Sequence, residues 1–201
     1  MNNYKTYTKA EEALVKLNHK IKDILFKPFL VLLTALHVPP NFIASLSSIV
    51  IIGGLVASFI HTSTNIFLVS LWVHFLLNAI DGPLARFQNK ASNDGAITDS
   101  LTDYLGVLVT TIFVGLFSSV STTLLILFVV FYLIEVYNIL ISNLLSSQLE
   151  FGFKPRFILY AVTTVDVLFN MTYLPLTYLI LCGIMAPIVL LSFVNIYKIT
   201  K

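Results

Sequence analysis

The segment from Asn78 to Asp103 decides the fold, and it reads NAIDGPLARFQNKASNDGAITDSLTD. Its acidic residues border long apolar runs, a position in which carboxylates are costly to keep near a bilayer. If the first part of the segment is helical, four residues occupy positions i, i+3, i+4 and i+7 and share one face. These residues are Asn78, Asp81, Gly82 and Ala85. Asp99 and Asp103 are spaced i, i+4 and share a face of a second helix.

Oxygen donors from two such helices are the ligands that hard cations prefer. The spacing therefore predicts a site for Mg²⁺ or Mn²⁺ where two membrane helices reach the aqueous surface. Pro83 lies inside the first of these helices and is expected to kink or end it near the membrane surface, because proline lacks the amide hydrogen of the helical ladder.

This segment resembles the signature of the CDP-alcohol phosphatidyltransferases, D-x2-D-G-x2-A-R-x8-G-x3-D-x3-D. Seven of its eight positions match in identity and spacing, a long enough pattern to be specific. The matching residues are Asp81, Gly82, Ala85, Arg86, Gly95, Asp99 and Asp103, and Asn78 stands where the signature begins with aspartate. The resemblance implies an all-α membrane protein of six transmembrane helices, preceded by an amphipathic helix.

The resemblance also implies roles for the acidic residues. Two metal ions, Mg²⁺ or Mn²⁺, are expected between the helices, with Asp81 and Asp99 as ligands and Asn78 as a weak one. Asp103 would bind metal or serve as the base that takes the proton of the acceptor hydroxyl, and the sequence does not separate these two roles. Asp99 and Asp103 are thus the expected catalytic residues.

Nucleotide binding is expected at the remaining signature positions, Gly82, Ala85, Arg86 and Gly95. Small residues allow a nucleotide to approach the helix backbone, although membrane helices also use small residues for tight packing. Arg86 suits phosphate oxygens. The alternatives for Arg86 are an orientation-setting charge or an ion pair with an aspartate of the same chain.

The chain departs from the family pattern at two positions. Asn78 offers a neutral amide oxygen, so that three carboxylates face the metals instead of four, and weaker metal binding is expected. Many members begin the first span with Pro-Asn-x-x-Thr, whereas Pro40-Asn41 is followed at the threonine position by Ala44. A nearby hydroxyl could substitute for the missing one, and the candidates are Ser45, Ser47 and Ser48.

The composition independently indicates an integral membrane protein. The chain has 201 residues, of which 57% are hydrophobic and only 11% charged, whereas a soluble domain carries about 25% charged residues. A span needs about 20 apolar residues. We predict one domain over 1–201, with an interfacial segment 1–40 and a six-helix bundle 41–201. The predicted spans are Asn41–Ile60, Ile66–Ile80, Leu101–Leu116, Leu124–Ile141, Phe157–Phe169 and Leu174–Ile196; the fifth is short, and the second and third continue as helices into the motif.

The 12 basic residues fall only in regions that six crossings would place on one side of the membrane. By the positive-inside rule that side is the cytoplasm, which places both termini and the active site there. An odd number of spans would remove this agreement. The segment Ala10–Phe26 alternates apolar and lysine-rich faces and is predicted to lie in the interface as an amphipathic helix. The apolar segment Phe29–Val38 is too short to cross and is predicted to be a buried or re-entrant extension of that helix.

The acceptor side of the reaction has fewer signals. Lys154 and Arg156 are candidates to bind the phosphate of an acceptor. Alternatively, they anchor the protein at the cytoplasmic face of the membrane, as the positive-inside rule describes. Glu135 and Asp166 are ionisable groups in apolar segments, where contact with the acceptor and a structural role are both open. His74, one turn before Asn78, is expected to be a structural histidine.

The resemblance implies transfer of a phosphatidyl group from a CDP-linked lipid to an alcohol or polyol phosphate, with release of CMP, in phospholipid synthesis. Membrane lipid is the expected environment, a homodimer is possible, and the net charge of +2 argues against a nucleic-acid partner. Two alternatives stay open. One is a catalytically degenerate family member with a structural or regulatory role, and the other is an ion-coupled transporter that uses the intramembrane acids.

Overall fold

The computed structural model describes residues 7–145 and 149–199, and within these ranges every regular element is an α-helix. The eight helices of this part of the chain are α1 (Glu12–Leu25), α2 (Lys27–Ala35), α3 (Pro40–His61), α4 (Thr64–Phe87), α5 (Asn93–Phe117), α6 (Thr122–Leu144), α7 (Arg156–Phe169) and α8 (Leu174–Ile199). The predicted all-α class is confirmed.

Five of the helices in the described ranges are long and apolar enough to cross a membrane, namely α3, α4, α5, α6 and α8. The protein is therefore an integral, multi-pass membrane protein. The predicted fifth span corresponds to α7, which has only 14 residues. At about 1.5 Å per residue α7 is shorter than a hydrocarbon core of about 30 Å, so the count of six spans stays a prediction.

The chain forms two compact units, with the boundary after Val109 within α5. The described residues of the first unit are Glu12–Val109, and those of the second are 7–11, 110–145 and 149–199. The helices α4 and α5 extend into the polar motif, as predicted. However, α4 does not end at Pro83 but continues to Phe87. It stops where Asn89 adopts a left-handed conformation (φ 54°) and Lys90 N–H donates to the carbonyl of Ala85 at 2.8 Å, which satisfies the last turn.

In the first unit, α3 and α4 pack closely side by side. A Cβ atom added at Gly54 would lie 2.2 Å from the Cβ of Ser70, so glycine permits this approach. Leu30 of α2 joins the buried cluster of Ile43 and Leu84. It is the one buried residue of α2; Leu33 is partly buried and packs against the same cluster, whereas Phe29, Val31 and Leu32 are exposed. The segment predicted to be a buried or re-entrant extension is thus a short helix whose one fully buried residue is Leu30.

In the second unit, buried polar contacts connect the helices. Asn138 of α6 donates to Ser192 of α8 at 2.6 Å. Asp166 of α7 accepts hydrogen bonds from the backbone N–H groups of Tyr173 and Leu174, at 3.1 and 2.8 Å. These donors begin α8, where backbone N–H groups lack helical partners. Asp166 therefore has a structural role in this arrangement.

Candidate active site on helices 4 and 5

The signature residues lie on two helices of the first unit. Asn78, Asp81, Gly82, Ala85 and Arg86 belong to α4, and Gly95, Asp99 and Asp103 belong to α5. This is the two-helix arrangement that the spacing predicts. Asp81 is buried, whereas Asp99 and Asp103 are half-buried.

Asn78 connects three helices through its amide group. Its Oδ1 accepts a hydrogen bond from Oγ of Ser47 on α3 at 2.5 Å, and its Nδ2 donates to Oδ1 of Asp103 on α5 at 3.2 Å. Both Asn78 and Ser47 are buried. The structure therefore brings Asn78 and Asp103 into direct contact through the amide nitrogen, while the amide oxygen faces a hydroxyl group.

Of the three candidate serines, Ser47 is the one whose hydroxyl contacts Asn78 of the motif helix. It lies one turn after Ala44, and its Oγ is also 2.7 Å from Nδ1 of His74. In contrast, Oγ of Ser48 bonds the carbonyl of Ala44 in its own helix, and Ser45 is exposed. His74 is almost entirely buried and hydrogen-bonded between α3 and α4, as expected of a structural histidine.

The surroundings of Gly82 bear on nucleotide binding. A Cβ atom at Gly82 would meet only Nη1 of Arg86, at the ordinary contact distance of 3.6 Å. Tight packing against a neighbouring helix therefore does not explain this glycine, and the helix backbone stays approachable. The N–H of Gly82 donates to Oδ1 of Asp81 at 2.6 Å.

Gly95 lies in the first turn of α5, where its N–H donates to Oγ of Ser92 at 3.1 Å. A Cβ atom at Gly95 would lie 3.3 Å from that same Oγ. The absence of a side chain at Gly95 thus leaves room for the hydroxyl of Ser92 at the start of the helix. The contact of Gly95 with CDP stays a prediction.

Arg86 has an ion-pair partner that sequence reasoning could not name. Its Nη2 lies 2.6 Å from Oδ1 of Asp23 on α1, and its Nε donates to both carboxylate oxygens at 3.2 Å. The two side chains are 30% and 42% exposed. An aspartate partner was one of the alternatives for Arg86, and an amphipathic helix supplies it.

The pKa of His19, one turn before Asp23, depends on the charges of Arg86 and Asp23. The pKa of His19 is lowered from its usual 6.5, mainly by burial and then by the positive charge of Arg86. Although the His19 side chain stays exposed, the loss of water around it disfavours the imidazolium form.

Among the described residues, no group of three or more His, Cys, Asp or Glu side chains is gathered so that it could hold a metal ion. The carboxylates of Asp81, Asp99 and Asp103 are hard oxygen donors of the kind that suit Mg²⁺ or Mn²⁺. The amide oxygen of Asn78 is neutral and already accepts a hydrogen bond from Ser47, so it is a weaker donor to a cation than the three carboxylates.

The predicted acceptor-binding residues belong to the second unit. Nζ of Lys154 lies 3.6 Å from Oε1 of Glu11. Arg156 begins α7, with its guanidinium 4.8 Å from the centre of the Phe157 ring. Glu135 accepts a hydrogen bond from the backbone N–H of Phe153. The ion pair between Lys154 and Glu11 is partly exposed, so its contribution to stability is small.

A family model described as CDP-alcohol phosphatidyltransferase matches residues 37–194. No curated protein and no solved structure gives a significant match. Since the match covers most of the chain and includes both motif helices, the protein belongs to the CDP-alcohol phosphatidyltransferase family. Membership supports an enzyme that transfers a phosphatidyl group from a CDP-alcohol donor to an alcohol acceptor.

Proposed function

We propose that this protein transfers a phosphatidyl group from a CDP-linked lipid, such as CDP-diacylglycerol, to a small alcohol or polyol phosphate and releases CMP. The observation that carries the proposal is the placement of seven signature residues on two helices of one compact unit, inside the family match. The direct contact between Asn78 and Asp103 supports it, because this contact joins the two motif helices at two signature positions.

In the proposed reaction the acceptor hydroxyl oxygen attacks the phosphorus that carries the lipid. The bond from that phosphorus to the bridging oxygen of CMP breaks, and the hydroxyl proton passes to the carboxylate of Asp103. Asp81, Asp99 and Asp103 would hold Mg²⁺ or Mn²⁺, which would offset the negative charge of the pyrophosphate and of the leaving group.

Arg86 is the proposed phosphate-binding residue for the CDP group. It lies one turn after Gly82, where the backbone is approachable, and its guanidinium already holds a carboxylate in a bidentate manner. The same fork geometry suits two phosphate oxygens. Lys154 and Arg156 are the proposed residues for an acceptor phosphate.

The proposed topology has six crossings with both termini and the active site in the cytoplasm. It requires α7 to cross, which local thinning of the bilayer can accommodate. It also places α1 in the interface, since five large apolar residues of that helix are strongly exposed; they are Leu14, Leu17, Ile21, Ile24 and Leu25.

Single cysteines test the topology in a Cys182→Ala background. With an impermeant maleimide on intact cells, we expect labelling of a cysteine at position 170, after α7, and protection of one at position 89, after α4. Protection at both positions would contradict six crossings, because α7 would then return to the side from which it started.

Release of CMP tests the function. Purified protein in detergent is supplied with CDP-diacylglycerol, Mg²⁺ or Mn²⁺, and a panel of alcohols and polyol phosphates. We expect CMP with at least one acceptor, and loss of turnover in both Asp99→Ala and Asp103→Ala. Binding of the CDP-lipid without CMP release would instead favour the second candidate, a degenerate member, for which the engaged amide of Asn78 is the specific observation.

A further inference from the structure

A chain of buried hydrogen bonds ends at the carboxylate of Asp103. It runs from Nδ1 of His74 to Oγ of Ser47 (2.7 Å), from Ser47 to Oδ1 of Asn78 (2.5 Å), and from Nδ2 of Asn78 to Oδ1 of Asp103 (3.2 Å). His74 and Ser47 are 1% and 0% exposed, and Asn78 is 9% exposed. Water therefore has little access to the first two links, and the protein itself must satisfy these polar groups.

The chemistry of the groups fixes the direction of each hydrogen bond. A carboxylate can only accept, so Asn78 presents its NH₂ group to Asp103 and its oxygen to Ser47. Ser47 has one hydroxyl hydrogen. Its Oγ lies 2.5 Å from Oδ1 of Asn78 and 3.2 Å from the carbonyl oxygen of His74, and the shorter contact assigns the hydrogen to Asn78. Nδ1 of His74 must then carry the hydrogen that Oγ of Ser47 accepts, which also suits its 3.2 Å distance to the carbonyl of Ser47.

We infer that Asn78 is a positioning residue, which holds the carboxylate of Asp103 by donating a hydrogen bond, with Ser47 and His74 fixing the orientation of its amide. This inference rests on the proposed function, in which Asp103 accepts the hydroxyl proton. It gives the departure from the family signature a physical reason. An aspartate at position 78 could accept from Ser47 but could not donate to Asp103, and it would place two negative charges side by side.

A positioning role and a ligand role for Asn78 predict different kinetics. A lost ligand weakens metal binding, so that excess metal restores the rate. Loss of a positioning contact leaves the Asp103 carboxylate wrongly oriented even when metal and substrates are saturating. In that case kcat falls, and excess metal does not restore it. Ser47 separates the two roles further, because it acts on Asp103 only through Asn78, whereas a ligand role for Asn78 would not need Ser47.

The experiment is a double-mutant cycle of Ser47→Ala and Asn78→Ala, with kcat measured at saturating Mn²⁺. We expect Asn78→Ala to lower kcat by about 10- to 100-fold, the usual effect of removing an outer-shell partner. Ser47→Ala should lower kcat in the wild-type background but have no further effect in the Asn78→Ala background. The KM for CDP-lipid should stay within about twofold, and Ser47→Thr, which keeps the hydroxyl, should restore the rate.

Ser48→Ala is the matched control, because it removes a serine hydroxyl from the same helix that bonds only the carbonyl of Ala44. Its kcat should equal that of the wild type. Recovery of the Asn78→Ala rate with excess Mn²⁺ would overturn the inference in favour of a ligand. An unchanged rate in Ser47→Ala, or an equal loss in both backgrounds, would overturn it as well.

A measurement without turnover separates this inference from the proposed function. The same four proteins are unfolded thermally in detergent, and the coupling between positions 47 and 78 is read from the midpoints. We expect the midpoint shift of the double variant to be smaller than the sum of the single shifts, which shows that the two side chains bond. Additive shifts overturn the hydrogen-bond chain, even with an active enzyme. Coupled shifts with no CMP release from any acceptor confirm the contacts but overturn the proposed function, and with it the catalytic role of Asn78.

Discussion

Replacing Asp23 by asparagine tests whether α1 competes with the substrate for Arg86. In the structure, the guanidinium that is proposed to bind the CDP phosphates is held by the Asp23 carboxylate, with a shortest distance of 2.6 Å. A phosphate group must displace this carboxylate before it can bind in the same way. Asp23→Asn removes the charge but keeps the shape of the side chain, so it should free Arg86 for the substrate.

The size of the effect follows from the exposure of the pair. Because the two side chains are 30% and 42% exposed, water screens their attraction, and such pairs contribute about 0.2–1 kcal/mol. Releasing that free energy should strengthen donor binding by about 1.5- to 5-fold. Arg86→Ala should act in the opposite direction and more strongly, since charged hydrogen bonds of about 1.5–3 kcal/mol are lost, which corresponds to about 10- to 150-fold.

The assay is the KM for CDP-diacylglycerol, measured from CMP release at a saturating acceptor concentration. Asp23→Asn should lower this KM and leave kcat unchanged. Glu12→Gln is the matched control, because it removes the same charge from the same helix and breaks the 2.9 Å pair with Lys16 instead of the pair with Arg86. If Asp23→Asn raises the KM, the carboxylate orients Arg86 for substrate binding, and the competition argument is wrong.

Three further predictions concern the two units. Acidification should release α1, because the pKa of His19 is lowered when α1 is docked. Docking is therefore strongest above pH 6.5 and weakens as the pH falls below that value. Faster hydrogen exchange in α1 would report the release, and His19→Gln should abolish this pH dependence. Gly54→Ala should lower the thermal midpoint by overpacking α3 against α4, at a cost of about 1–3 kcal/mol. Gly53→Ala is the control and should not lower it, because the added Cβ meets nothing within 4 Å. Equal midpoints of the two variants would contradict the close approach of α3 and α4. The double variant Lys154→Ala with Arg156→Ala should raise the KM for a phosphorylated acceptor but not for the CDP-lipid. An unchanged acceptor KM would indicate that these residues only anchor the protein in the membrane.

Much of the motif could be predicted because its spacing matches the helix period. The positions of Asn78 and Asp81 on one helix and of Asp99 and Asp103 on the next follow from separations of three and four residues. The structure confirms both helices and their extension beyond the apolar runs. The apolar runs also predict the five long spans, since the length and the hydropathy of a helix together decide whether it can cross a membrane.

The partners of these residues could not be predicted in the same way. Asp23 and Arg86 are 63 positions apart, and nothing in the local pattern of α1 distinguishes Asp23 from Glu12, the other carboxylate of that helix. Similarly, the sequence offered three serines near Ala44, and only the packing of α3 on α4 selects Ser47. Helical periodicity defines the face of a residue, but the neighbouring helix decides what that face contacts.

The orientation of the Asn78 amide is a further example. From sequence, Asn78 is a weak metal ligand because it stands at an aspartate position of the signature. An amide, unlike a carboxylate, has a donor side and an acceptor side. Which side faces Asp103 depends on Ser47, 31 positions earlier, so a local pattern could not reveal it.

Transfer of the labelled phosphate tests the central claim most directly. CDP-diacylglycerol carrying ³²P in the phosphate next to the lipid is incubated with the purified protein, a divalent metal and each acceptor, and both CMP and labelled lipid are quantified. The account predicts one labelled phosphatidyl alcohol for every CMP released, and neither product from Asp103→Ala. Failure to form any labelled product, together with no binding of the CDP-lipid, would contradict it.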